Sequence, residues 1–151
     1  AWEKDKFEKR LGLNKNQHIF FTTIAYDTPA AIFPEGDPRY LYAQKLILFS
    51  GIANDAPLAR HLSSNYQIVK HFNFPDHHTF SRADIRSIED AVKDYPTAVA
   101  MTTEKDCQRV RDYAKLPDKF RQRMFYTPIR SEFLNENDRI RFSETLVALL
   151  K

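Results

Sequence analysis

The sequence predicts an α/β fold with a mostly parallel sheet flanked by helices. Two short apolar runs, Lys45–Ala53 and Thr97–Thr102, have the unbroken hydrophobic character of strands that are covered on both faces. From residue 41 onward, strand patterns alternate with helix patterns, and this order favours parallel strands joined by helical crossovers. The chain has 151 residues, of which 42% are hydrophobic and 28% charged, a composition typical of one packed globular domain.

The first 40 residues are predicted to form a connecting segment or hinge, and residues 41–151 the α/β lobe. Apolar residues at helical spacing predict a helix over Trp2–Gly12, and β-branched and aromatic residues predict a strand over His18–Tyr26. Three prolines and a glycine then predict a loop over residues 27–40.

The alternating elements of the lobe follow from local signals. Ser81 and Asp84 form an S-x-x-D helix start, and Thr103 is a plausible helix N-cap. Pro128 suggests that the last strand lies at an edge or contains a bulge. The predicted strands are Lys45–Ala53, Tyr66–Phe74, Thr97–Thr102 and Met124–Leu134, and the predicted helices begin at Asn54 or Asp55 (ending near Ser64), at Ser81, at Thr103 (ending near Ala114) and at Asn137.

Composition excludes several classes of function. The three glycines, Gly12, Gly36 and Gly51, do not have the spacing of a GxxxxGK[ST] or GxGxxG phosphate-binding loop. A net charge of +3 is too small for a dedicated nucleic-acid-binding protein. The single cysteine, Cys107, excludes an internal disulfide, and no apolar run approaches the roughly 20 residues of a membrane span.

Three polar clusters fall at the ends of predicted strands, where open α/β sheets bind their ligands. They are Ser50–Asn54, Phe74–His78 and Thr102–Asp106. In the middle cluster, Asp76 precedes His77 and His78, and a carboxylate beside imidazoles can orient a proton carrier, bind a metal or hold a phosphate. A simpler interpretation is that Asp76 caps the turn and that the histidines lie on a polar loop.

A metal-dependent phosphoesterase using Asp76, His77 and His78 is one alternative. Such sites usually need a D-x-D pair to hold two metals, and the sequence contains none. In the third cluster, Lys105 lies in the first turn of a helix against the dipole preference, so it is a candidate for a ligand or an ion pair.

A non-catalytic module that docks on an anionic surface is the other alternative. It would use residues 105–123, which contain seven basic side chains against three acidic ones, or four with the adjacent Glu104, although such a segment is more often a solvated helix face. The basic residues are Lys105, Arg109, Arg111, Lys115, Lys119, Arg121 and Arg123.

Taken in series, the motifs SGIAN, FPDHHTF and TTEKD resemble the C-terminal half of the tetraacyldisaccharide 4′-kinase family, in the form found in Bacteroides-type members. The upstream FFTTIAYDTPAAIFP resembles the stretch that joins the two lobes of that family. The resemblance implies a P-loop-kinase-like C-terminal lobe without the P-loop. It also implies that the whole enzyme uses ATP and Mg²⁺, bound mainly by the missing lobe, to phosphorylate the 4′-hydroxyl of a tetraacyldisaccharide 1-phosphate in lipid A synthesis.

The same resemblance implies roles for individual residues. His77, next to Asp76, corresponds to the histidine that works with an aspartate of the other lobe in proton transfer, and no role follows for His78. The residues expected near substrate or nucleotide are Gly51, Asn54, Thr103, Glu104, Lys105 and Asp106.

The implied partners are the lipid A disaccharide precursor, the N-terminal P-loop lobe of the same protein and the cytoplasmic face of the Gram-negative inner membrane, with no nucleic acid. The present chain alone is expected to be soluble and inactive, with no metal site and no bound cofactor.

Overall fold

The computed structural model of the chain describes residues 2–113 and 116–150. The predicted end of one helix at Ala114 lies outside the described residues. In chain order the elements are α1 (Trp2–Leu11), β1 (Thr22–Tyr26), β2 (Ala30–Ala31), a 3₁₀ helix (Pro38–Tyr42), β3 (Lys45–Ser50), α2 (Ala56–Leu62), β4 (Gln67–Asn73), α3 (Arg82–Asp94), β5 (Val99–Thr103), α4 (Glu104–Arg111), α5 (Asp118–Arg121), β6 (Met124–Thr127), β7 (Ile129–Phe133) and α6 (Glu136–Leu149).

The contacts divide the chain into two compact units. The smaller contains the residues up to Ala25 and those from Arg130 onward, and the larger contains Tyr26–Ile129. The predicted division after residue 40 concerns the lobes of a longer protein and stays a prediction.

The larger unit is built on a five-stranded sheet with the strand order β2-β6-β5-β3-β4. Strands β6, β5, β3 and β4 pair with their neighbours in parallel. The two-residue β2 forms one edge of the sheet and pairs antiparallel with β6. This arrangement confirms the predicted α/β fold with a mostly parallel sheet. It also places the carboxyl ends of the four parallel strands along one edge of the sheet.

Helices cover both faces of this sheet, as the unbroken apolar runs of the sequence predict. Leu46 and Leu48 of β3 pack with Leu58 and Leu62 of α2 on one face. Ile47 and Phe49 of β3 belong to a second cluster, with residues of α3 and α4, on the other face. Because successive side chains of a strand point to opposite faces, a strand between two helix layers must be apolar throughout.

The smaller unit contains α1, α6 and most of a two-stranded β1–β7 sheet. Phe142 of α6 lies against Phe20 and Phe133, with ring centroids 5.2 and 5.3 Å away. The Lys4 ammonium lies 3.1 Å from the Asp138 carboxylate. Across the described residues, no helix combines the length and the hydrophobicity that a bilayer crossing requires.

Several predicted boundaries are wrong. The strand predicted over Met124–Leu134 is interrupted at Pro128, which lacks a backbone N–H, and becomes β6 in one sheet and β7 in another. The strand predicted from His18 begins only at Thr22, and the loop predicted over residues 27–40 contains β2 and the start of the 3₁₀ helix. The last helix is capped by Asn135 rather than started by Asn137.

Candidate active site

The three polar clusters that follow β3, β4 and β5 meet at one edge of the sheet. Strand β3 lies between β5 and β4, so the loops at their carboxyl ends are neighbours. Ser50 and Asn73 are paired at the end of β3 and β4, and the Phe74 N–H donates to the Ser50 carbonyl at 2.8 Å. We therefore take this edge as the candidate site.

His77 presents an exposed imidazole at this edge. Its side chain is 73% accessible to solvent, and its Nε2 lies 3.5 Å from Asp76 Oδ2. The His77 N–H is shared between Asp76 Oδ1 at 2.9 Å and the Gly51 carbonyl at 3.2 Å. The backbone φ of His77 is +58°, which makes it the one non-glycine residue with positive φ in the part of the chain that the structure describes. Such conformations concentrate at functional sites.

Asp76 lies beside the side chains of His77 and Lys105. Its Oδ1 is 3.5 Å from the Lys105 ammonium, so the unusual position of Lys105 in the first turn of α4 is explained by an ion pair. Desolvation raises the pKa of the Asp76 carboxyl, but the His77 N–H and the charges of His77 and Lys105 outweigh it and hold that pKa below its usual value. Asp76 is therefore ionised at neutral pH and can orient the His77 ring.

His78 is held by Asp84 and Phe74 and has a structural role. Its Nε2 lies 2.9 Å from Asp84 Oδ2, and its ring stacks on Phe74 at a centroid distance of 4.6 Å. Asp84 also completes a capping box with Ser81 at the start of α3, as the S-x-x-D pattern predicts. Of the two adjacent histidines, His78 is therefore bound within the fold and His77 is exposed.

The third cluster forms a buried network at the start of α4. Thr103 caps the helix as predicted, with its Oγ1 accepting the Asp106 N–H at 3.1 Å. The fully buried carboxylate of Asp106 accepts from the Thr103 hydroxyl at 2.7 Å and from the Gly51 N–H at 2.9 Å. Arg109 donates to the other carboxylate oxygen at 2.8 Å. Asp106 is therefore enclosed by protein rather than open to a ligand.

Two predicted site residues lie on the surface of this edge. Asn54 is exposed, and its Oδ1 accepts the Ala56 N–H at 3.1 Å as α2 begins. Glu104 is exposed as well, and its Oε2 accepts the Ile129 N–H at 3.3 Å.

Sequence reasoning missed the network around Asp55. This carboxylate is predicted to cap α2, but it makes no side-chain capping bond there, and its side chain is only 4% exposed. It accepts from the Ser50 hydroxyl and from Asn73 Nδ2 at 3.1 Å, and lies 2.7 Å from His71 Nε2. His71 and Asn73 are two residues apart on a strand and so share a face, the one signal in the sequence for this network.

The geometry does not favour the phosphoesterase interpretation. In residues 2–113 and 116–150, no three His, Cys, Asp or Glu side chains converge as a metal would require. His78 is engaged by Asp84 and does not join Asp76 and His77.

The basic residues between 105 and 123 do not form an open cationic face either. The guanidinium of Arg111 donates to the Ile32 carbonyl, and that of Arg123 is buried against main-chain carbonyls. Arg121 pairs with Glu35 at 3.1 Å and lies over the Phe33 ring. Lys115 lies outside the described residues. Because these charges are used within the fold, the anionic-surface alternative loses its main support.

Comparison with known proteins assigns the chain to a family. The family model described as tetraacyldisaccharide-1-P 4′-kinase matches residues 3–150. Among curated proteins, tetraacyldisaccharide 4′-kinase of Parabacteroides distasonis is 31% identical over 93% of this chain and 40% of its own length. The enzymes of the same name from Flavobacterium johnsoniae and Bacteroides thetaiotaomicron are 33% and 25% identical, over 83% and 95% of this chain and 34% and 41% of theirs.

The chain thus spans about 40% of the length of the curated relatives it matches. No solved structure matches it significantly. Since the family model covers nearly every residue, the chain belongs to the tetraacyldisaccharide-1-P 4′-kinase family of Gram-negative lipid A synthesis.

Proposed function

We propose that this chain is the C-terminal part of a kinase that transfers the γ-phosphate of ATP to the 4′-hydroxyl of tetraacyldisaccharide 1-phosphate. Its own contribution is the imidazole of His77, oriented by Asp76, at the carboxyl edge of the sheet. The observation that carries the proposal is the exposure of His77 on a left-handed backbone, while its neighbour His78 is bound by the fold.

The chemistry of phosphoryl transfer suits this arrangement. The reaction depends on positioning and on stabilising charge, with a base that accepts the proton of the attacking hydroxyl. An imidazole can accept that proton or align a carboxylate that does so. The Asp76 carboxylate lies 3.5 Å from His77 Nε2 and helps to orient the ring.

ATP and Mg²⁺ are assigned by this proposal to the part of the protein outside the chain. The sequence has no phosphate-binding loop, and the described residues offer no cluster of carboxylates for Mg²⁺. When bound, Mg-ATP supplies the phosphoryl group and neutralises part of its charge. Lys105 and Asn54 are exposed at the edge and are accessible to a bound nucleotide or sugar phosphate, whereas Thr103, Gly51 and Asp106 support the loops from within.

Closure of the P-loop lobe onto this edge would complete the site. Dividing the proton-transfer groups between two lobes makes closure a condition of catalysis and limits idle ATP hydrolysis. In this proposal the whole enzyme acts on its lipid substrate at the cytoplasmic face of the inner membrane. It follows that the isolated chain neither binds Mg-ATP tightly nor phosphorylates lipid. Calorimetric titration of the chain with Mg-ATP tests the binding, and a micromolar affinity would contradict the proposal.

The decisive experiment uses the full-length protein, with transfer of labelled phosphate from ATP to tetraacyldisaccharide 1-phosphate as the readout. His77→Gln should lower kcat by about 100-fold or more while ATP binding stays near normal. The matched control is His61→Gln, because His61 lies on α2 and stacks on Tyr26 instead of facing the site. Unchanged turnover in His77→Gln, or an equal loss in the control, would remove His77 from the mechanism.

A further inference from the structure

We propose that Asp106 is a positioning residue that acts through Gly51 to hold the backbone of His77 in its catalytic place. The inference rests on the proposed function of His77 and adds a second residue to it. The sequence motif alone suggested that Asp106 lies near the nucleotide, but its carboxylate has no exposure to solvent. Its influence on catalysis must therefore pass through the groups that it binds.

The first link joins Asp106 to Gly51. One carboxylate oxygen accepts the Gly51 N–H at 2.9 Å, and the other accepts from Arg109 Nη1 at 2.8 Å. The Thr103 hydroxyl adds a third donor at 2.7 Å. A buried carboxylate with three donors, two from α4 and its N-cap and one from the loop after β3, is fixed in position, because each lost bond would leave an unpaired charge in the interior.

The second link joins Gly51 to His77. The Gly51 carbonyl accepts the His77 N–H at 3.2 Å, and Arg109 Nη1 also reaches it at 3.4 Å. The loops can approach this closely because residue 51 has no side chain. A Cβ there would lie 3.1 Å from His78 Cβ and 3.3 Å from Asp106 Oδ1, closer than such atoms normally pack. Gly51 is thus held on one side by Asp106 and holds His77 on the other.

The backbone anchor matters because the imidazole has little else to hold it. The His77 side chain is 73% exposed and contacts Asp76, which is itself 41% exposed. The position of the ring is therefore set mainly by a backbone in a sparsely populated conformation. Displacement of a catalytic group by about 1 Å can cost on the order of 100-fold in rate.

The kinetic test uses Asp106→Asn in the full-length protein. Asparagine keeps the size of the side chain but loses the charge and one acceptor oxygen, so the hold on Gly51 and Arg109 weakens. We expect kcat to fall by roughly 10- to 100-fold while the KM for ATP stays near that of the wild type. The matched control is Asp55→Asn, which removes an equally buried carboxylate at the same edge that bonds neither Gly51 nor His77.

A double variant separates positioning from a general structural role. If Asp106 acts through His77, adding Asp106→Asn to His77→Gln should cause little further loss of kcat, because residues that act as a unit are not additive. A full additional loss in the double variant would overturn the proposal. So would an equal loss of kcat in the Asp55→Asn control.

A measurement on the 151-residue chain tests the link from Asp106 through Gly51 to His77 without an activity assay. In NMR spectra, Asp106→Asn should shift the amide resonances of both Gly51 and His77, whereas Asp55→Asn should leave the His77 resonance in place. Gly51→Ala is a second variant, and it should displace the His77 resonance through the steric contact at residue 51. An unchanged His77 resonance in both variants would refute the proposed link from Asp106 through Gly51 to His77. Absence of kinase activity in the wild-type protein would instead refute the proposed function.

Discussion

Replacement of His77 by glycine should stabilise the protein and abolish its activity. The φ of His77 is +58°, where a Cβ clashes with the neighbouring carbonyl at a cost of about 1–2 kcal/mol. Glycine adopts this conformation without that cost, but it loses more chain entropy on folding, about 0.5–1 kcal/mol. The difference predicts a gain of about 0.5–1 kcal/mol in the free energy of unfolding for His77→Gly.

The lost side chain does not offset this gain. The imidazole is 73% exposed, and its contact with Asp76 lies at the surface, where ion pairs contribute little. His77→Ala retains a Cβ and therefore the backbone cost, so after the entropy that glycine loses we expect it to be less stable than His77→Gly by about 0.5–1 kcal/mol. For a domain of this size the glycine variant should melt about 1–4 °C above the wild type.

Thermal and urea denaturation of the three proteins measure these differences, and phosphate transfer by the full-length forms measures activity. A glycine variant that melts below the wild type by several degrees would refute the reasoning, because the imidazole would then stabilise the fold. Equal stability of the glycine and alanine variants would show that the left-handed backbone carries no cost. Strain retained at an exposed residue supports a functional role for His77, because it has no benefit for the stability of the fold.

Two further predictions concern groups that hold the larger unit together. Arg123→Met should lower the free energy of unfolding by about 3 kcal/mol or more. The reason is that the buried guanidinium donates to the carbonyls of Val92, Tyr95 and Ala98. A loss below about 1 kcal/mol, measured by urea denaturation, would contradict this prediction. Desolvation raises the pKa of Asp84, but hydrogen bonds from Ser81 and His78 outweigh it and leave that pKa below its usual value. The stabilisation by Asp84 is then complete above about pH 4 and disappears as the pH falls through the lowered pKa. The melting temperature of Asp84→Asn should therefore fall less between about pH 5 and pH 2 than that of the wild type. Parallel melting profiles of the two proteins across this pH range would contradict the assignment.

The parts of the fold that depend on local chemistry are predictable from the sequence. The capping box formed by Ser81 and Asp84 and the N-cap formed by Thr103 need only residues three apart, and both are confirmed. The apolar runs predict β3 and β5 because two covered faces leave no place for polar side chains. The meeting of the three polar clusters follows from the parallel order of the strands.

Features that depend on tertiary contacts are not predictable in this way. Asp55 has the sequence position of a helix cap, but the donors of Ser50, His71 and Asn73 outweigh that local role. The different environments of His77, which is exposed, and His78, which is held by Asp84, are not revealed by the run of two histidines. Pro128 suggests an edge strand or a bulge, whereas the structure ends β6 there, inside the sheet between β2 and β5, and continues with β7 in a different sheet.

Chemical rescue tests the role of His77 most directly. In the full-length protein, His77→Gly removes the imidazole and leaves space at an exposed site, which imidazole added to the solution can enter. The account predicts that added imidazole restores part of the lost phosphate transfer in His77→Gly, with no effect on wild type or on His77→Gln. Wild-type activity of His77→Gly without imidazole would contradict it.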